Sequence, residues 1–133
     1  MPADFELRPE TRTVHSRGWG ALTDADLVAH MARISALFKA GSLESDWAQL
    51  WDFSAVDNVD GVSTAGIRQL AEGNPWPRFS VRACIVTSDE QFGLVRMYQA
   101  LGEPKTDHVG ITRSAADADA FIARERVRLG IAI

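Results

Sequence analysis

Between Leu50 and Ile67 the chain reads Leu-Trp-Asp-Phe-Ser-Ala-Val-Asp-Asn-Val-Asp-Gly-Val-Ser-Thr-Ala-Gly-Ile, and several of these residue types could do chemistry. Three acids, Asp52, Asp57 and Asp60, follow an apolar, aromatic run of Leu50, Trp51 and Phe53. With Asp89 they could gather at the carboxyl edge of a sheet and hold a hard cation such as magnesium, which takes oxygen ligands. Turn chemistry is the simpler account, because Asp and Asn side chains satisfy turn backbone groups. Two hydroxyls, Ser63 and Thr64, stand where a helix would begin, and Ser88 stands at the start of another. Backbone N–H groups at helix starts can bind an anion. The same hydroxyls can equally cap those N–H groups themselves, and capping is the expected role.

Arg82 is the odd residue of the apolar run Val81-Arg82-Ala83-Cys84-Ile85-Val86. In a strand, Val81, Ala83 and Ile85 share one face and Arg82, Cys84 and Val86 the other. A guanidinium on an apolar face needs a partner, since an unpaired buried charge is costly. Asp52 on the preceding strand is the candidate, and the expected pair is structural. Cys84 is the one cysteine, so no internal disulfide forms, which fits a reducing cytosol. It reads as a small buried hydrophobe rather than a nucleophile. His15, His30 and His108 are scattered without metal-ligand spacing, and His30 is expected to be exposed or partly packed on its helix. Four tryptophans, Trp19, Trp47, Trp51 and Trp76, are many for this length. They suit a core, an apolar pocket or a self-association face.

The elements that must position these residues follow from composition and pattern. A length of 133 residues with 46% hydrophobic content suits one domain, 1–133, with a real core. The formal charge of −4, from 14 basic and 18 acidic residues, disfavours nucleic acid, which needs a basic footprint. The basic run Arg124, Arg126, Arg128 is expected to be a solvated helix face. No apolar run is long enough to span a membrane, and the first residues carry no leader pattern, so a cytoplasmic protein is expected.

Strands are expected at Phe5 to Arg8 and Thr13 to Arg17, the second ended by Gly18-Trp19-Gly20. Thr23, with Asp24 and Asp26 in the first turn, opens a helix carrying Leu27, Met31, Ile34, Leu37 and Phe38, closed by Gly41. Trp47 to Phe53 forms a strand, then a polar turn leads into a helix over Thr64 to Glu72. Val81 to Val86 is the most strand-like run and is expected at the centre of the sheet. Ser88 and Gln91 form a capping box for a helix with Leu94, Val95, Met97, Tyr98 and Leu101. His108 to Thr112 is the last strand. Ser114 with Asp117 opens the final helix, with Ala118, Phe121, Ile122 and Leu129 inward. The order ββαβαβαβα implies an α/β fold with a mainly parallel sheet. Helices on one face require each strand to be added on the same side, whereas helices on both faces require the strand order to reverse at a switch point.

The pattern resembles the STAS family, whose fold is SpoIIAA-like. In that family a strand ending in Asp-Leu-Ser leads through a Val-rich turn to Asp-Ser-Ser-Gly and a helix. Here Asp52-Phe53-Ser54-Ala55-Val56 matches the first part, and Asp60 falls where the second Asp sits. Other stretches are similar to a bacterial branch of small STAS/SEC14-like proteins. These are Gly20-Ala21-Leu22-Thr23, Leu50-Trp51-Asp52, Arg82-Ala83, Phe92-Gly93 with Arg96-Met97-Tyr98, and Ala118 with Phe121-Ile122. The resemblance covers roughly residues 14 to 122. It implies a mostly parallel sheet with an antiparallel N-terminal strand. One departure stands out. The phosphorylatable serine of the family directly follows the Asp, and that position here is Gly61, so a serine-phosphorylation switch is not carried over.

The sequence thus points to a non-catalytic regulatory or binding protein. It is expected to act on a protein partner or a small apolar ligand, without a cofactor or metal, and as a homodimer. Trp51, Asp52, Asp60, Ser63, Thr64, Arg82, Ser88 and Arg96 are the candidate ligand- or partner-binding residues. The homodimer is expected to form through apolar surface that the sheet or the tryptophan-containing loops leave uncovered. The side of the strand bearing Gln49, Trp51 and Phe53, if it faces away from the helices, is expected to be a dimer or ligand surface. The alternative is an enzyme using a metal in the acidic cleft at the strand ends.

Overall fold

The computed structural model describes residues 2–131. These form five strands and four helices in the expected order: β1 (Ala3–Arg8), β2 (Thr13–Thr23), α1 (Asp24–Lys39), β3 (Ala48–Gly61), α2 (Thr64–Glu72), β4 (Arg82–Ile85), α3 (Asp89–Gly102), β5 (Val109–Thr112) and α4 (Ala115–Arg128). The strands form one sheet in the order β1-β2-β3-β4-β5. β1 runs antiparallel to β2, and the remaining pairs are parallel. β3, not β4, is therefore the middle strand, which corrects the expectation for Val81 to Val86.

The helix starts are set by local chemistry. Thr23 forms a complete capping box with Asp26, and Ser63, Ser88 and Ser114 each accept a backbone N–H in the first turn of their helices. The box expected at Ser88 is only half made. The Gln91 side chain accepts from the Thr87 backbone N–H instead of that of Ser88.

Strands β2 and β3 run well past their expected ends. Glycines at 18 and 20 do not stop β2, because parallel pairing with β3 continues from Trp19 to Thr23 through register shifts, with Gly20 at φ +64°. Such irregularities absorb an extra residue and strengthen the local twist. The expected turn after Phe53 is consequently strand, and Asp57 and Asp60 lie on it rather than in a loop.

The chain adds each parallel strand on the same side of the last, so its connecting helices α1, α2 and α3 share one face. Only α4, which follows the last strand, covers the other. Ala118 and Ile122 of α4 pack on Ala48, Leu50, Ala83 and Ile85. Val95 of α3 packs on Cys84 and Val86, with Trp51, Phe53 and Ile111 beside them. There is no switch point. The aromatic side of β3 faces the three helices, so it is not the open face that a sheet-to-sheet dimer needs. On β1 and β2 the side away from α1 bears Glu6, Arg8, His15 and Arg17, polar residues that need no cover.

Trp47 and Trp76 are core residues, and Trp76 meets Phe38 edge-on at 5.0 Å between ring centres. His30, expected exposed or partly packed, and Arg126, expected on a solvated face, are also inside. His30 is 2% exposed because it sits between Leu27 and Ile34 on the inward stripe of α1. Arg126 is buried and donates to the Arg12 carbonyl at 2.9 Å, while Arg124 and Arg128 stay exposed.

Candidate functional site

Between the sheet and the layer of α1, α2 and α3 lies a cavity of about 100 Å³. β3 lends it Gln49, Trp51 and Phe53, and β4 lends Arg82 and Cys84, because alternation and parallel register put these side chains on one face. The helices contribute His30, Met31 and Ile34, then Ile67 and Leu70, then Gln91, Leu94, Val95 and Tyr98. Trp51 and Phe53 stack at 4.5 Å with their planes 9° apart, and His30 tilts against Trp51 at 4.7 Å.

A short polar chain enters this apolar lining. Gln49 donates to Ser16 Oγ at 2.9 Å, and Ser16 Oγ lies 2.8 Å from His30 Nε2. The Ser16 hydroxyl, already accepting from the amide, has its own proton to give to Nε2. His30 Nδ1 is buried and has no partner. Burial, with a smaller push from Arg33, lowers the His30 pKa to about 4, so the ring is neutral near pH 7. No carboxylate orients this Ser16–His30 pair, as a nucleophilic triad would need.

Arg82 is the one formal charge in the cavity lining among the described residues. It is 5% exposed. One of its terminal nitrogens donates to Tyr98 Oη at 2.8 Å and the other to the Lys105 carbonyl at 3.3 Å. Its Nε has no partner. Asp52 is not the counter-ion. Register sets Arg82 beside Gln49, and Asp52 beside Ile85 on the opposite face, where Asp52 accepts from the Ser54 N–H at 2.8 Å. Next to Arg82, burial pushes the Cys84 thiol up to about 12 against the pull of the guanidinium, consistent with an inert hydrophobe.

Of the expected site residues, the structure brings together Trp51 and Arg82 only. Asp60 is exposed on the far end of β3. Ser63 and Ser88 are N-caps, and Thr64 is the exposed first residue of α2. Arg96 is exposed and borders a separate polar cleft with Gln99, Glu103 and Asp107. The acids Asp52, Asp57, Asp60 and Asp89 do not converge. Among the described residues no three His, Cys, Asp or Glu side chains form a metal-holding group. Ser16, His30 and Gln49 were not among the expected site residues, although alternation had set Gln49 on the side of its strand that bears Trp51 and Phe53. For Ser16 the same signal was available in its alternation with Val14.

No protein-family model matches the chain, and no curated protein matches it. Among solved structures it is similar to one described as the anti-sigma factor antagonist SpoIIAA in its unphosphorylated form. The identity is 15%, the TM-score 0.55, and the match covers 95% of this chain and 97% of that one. No helix among the described residues is long and apolar enough to cross a membrane. With its β1-β2-β3-β4-β5 sheet, one antiparallel edge strand and parallel remainder, the chain has a SpoIIAA-like fold.

Proposed function

We propose that this protein is a non-catalytic binding protein that holds a small apolar ligand in the cavity between the sheet and α1 to α3. The observation that carries this reading is the cavity itself, walled by Trp51, Phe53, Met31, Leu70 and Val95. Interiors pack to crystal-like density, and an apolar void forfeits contact energy. An occupant restores those contacts. Methyl resonances of Met31, Leu70 and Val95 should shift on adding toluene or xenon, with the rest of the chain unmoved. Absence of any shift at these methyls removes the reading.

A protein partner is the second reading, favoured by the shared fold with a protein described as an anti-sigma factor antagonist. Self-association belongs to it. The exposed large apolar side chains Phe79, Phe92 and Val127, rather than the aromatics of β3, are the contacts on offer. Sedimentation equilibrium at micromolar concentration reads it directly. Twice the 14.6 kDa chain mass supports a two-fold dimer, and the chain mass removes it. A cytoplasmic location fits the lone buried cysteine.

A further inference from the structure

We infer that the ligand is a small monocarboxylate, with an apolar body no larger than a benzene ring inside the cavity and its charged head on Arg82. The inference rests on the cavity being a ligand site and adds the chemistry of the occupant.

Three observations converge on it. The lining holds one guanidinium and no carboxylate. A guanidinium stays charged in any protein, so the charge is held in a place where water does not reach it well. None of the ion pairs among the described residues includes Arg82. Buried charges are ordinarily paired, because the desolvation cost is large and only an opposite charge offsets it. Finally, two terminal nitrogens of Arg82 are held by neutral acceptors, Tyr98 Oη and the Lys105 carbonyl, while Nε points to nothing. A carboxylate is the acceptor that matches a guanidinium edge in both charge and geometry.

Volume limits the rest of the molecule. A 150 Å³ apolar cavity in another protein takes benzene, and this one measures about 100 Å³. A body of about benzene size is thus the upper limit for the part of the ligand held inside, so the class is a small aromatic or short branched-chain acid. The lining beside Arg82 supplies the matching surface in Trp51, Cys84 and Val95.

The competing explanation is that Arg82 only pins the loop before β5 to α3 through Lys105 and Tyr98. Titrating the purified full chain with benzoate, benzamide and toluene, followed by calorimetry and by the Met31 and Leu70 methyl resonances, separates the two. Benzoate is expected to bind at least tenfold more tightly than benzamide, its neutral near-isostere. Arg82→Met should abolish that preference, and Arg82→Lys, which keeps the charge, should retain part of it. Should Arg82→Met fail to fold, the benzoate-to-benzamide ratio on the unaltered chain and on Arg82→Lys still decides. Equal binding of all three compounds overturns the carboxylate and leaves the cavity reading standing. Binding of none overturns both. Tighter binding of palmitate than of benzoate overturns the size limit and with it the class.

Discussion

Ser63 and Asp24 join the starts of two helices that are distant in sequence. The Ser63 hydroxyl donates to Asp24 Oδ2 at 2.5 Å and the Ser63 N–H donates to Asp24 Oδ1 at 2.9 Å. The same Ser63 oxygen accepts from the Gly66 N–H at 3.0 Å, which caps α2. Asp24 is the first residue of α1, where its charge also favours the positive helix end. Gly66 completes the arrangement, because a Cβ there would overlap the Asp24 carboxylate. The two helices that roof one end of the cavity are thus tied by one serine, one aspartate and one glycine.

Removing the tie should be measurable in urea. Ser63→Ala is expected to cost about 1–2 kcal/mol, since it loses the cap and one charge-assisted bond. Gly66→Ala should cost more than Ser63→Ala, because it displaces the carboxylate. In an Asp24→Ala background the Gly66→Ala penalty should shrink, because the clash partner is gone. An unchanged penalty there would show that Gly66 is needed for another reason.

Neither Ser63 nor Thr64 is expected to carry stoichiometric phosphate in cells. The Ser63 hydroxyl is already engaged as both donor and acceptor. A phosphate on it would set about two negative charges against the Asp24 carboxylate, and like charges at that range repel. Intact-mass analysis of protein from its native host decides this, and a stoichiometric gain of one phosphate at either residue overturns it.

His30 should make the fold acid-sensitive in a defined window. Burial lowers its pKa from 6.5 to about 4 in the folded chain. Between these values the unfolded chain binds the extra proton, so stability falls as pH drops. The loss is absent above about pH 6.5. It grows as pH falls and is complete near pH 4, at about 3 kcal/mol. His15, lowered by burial and by Arg8, acts with the same sign. Glu125 adds its own loss at lower pH. Burial pushes its carboxyl up, but hydrogen bonds from His108 and Arg128 bring it below its ordinary value. His30→Gln, which does not titrate and can still reach Ser16, isolates the term. Its stability curve between pH 7 and pH 5 should be flatter than that of the unaltered chain.

What the chain discloses by itself divides along locality. Thr23, Ser63, Ser88 and Ser114 announce helices because a cap acts within one turn, and all four are caps in the structure. The length of β2 and β3 was hidden, because Gly18 and Gly20 read as breakers and only the parallel partner overrides them. The position of His30 was available in principle, three residues after Leu27 and four before Ile34, yet a polar residue hides its own place in an apolar stripe. Arg126 is the same case, four residues after Ile122 and three before Leu129. For Arg82, alternation gave the face correctly, but the register that sets it beside Gln49 rather than Asp52 is a tertiary fact. The cavity belongs to no local pattern, since it is the space left by side chains from seven elements, β2, β3, β4, β5, α1, α2 and α3.

Cys84 offers the sharpest separation between packing and function. It sits on the cavity wall, 8% exposed, beside Arg82 and Trp51. Cys84→Ile extends the wall into that space with a β-branched side chain suited to β4. Filling a void commonly stabilises by about 0.5–2 kcal/mol. Stability of Cys84→Ile is therefore expected to match or exceed that of the unaltered chain, while binding of toluene and benzoate falls at least tenfold. A stabilised variant that no longer binds shows that the empty space is kept for an occupant. A destabilised variant shows the wall to be already well packed, since overpacking costs about 1–3 kcal/mol. A stable variant that binds as before places the ligand elsewhere on the chain.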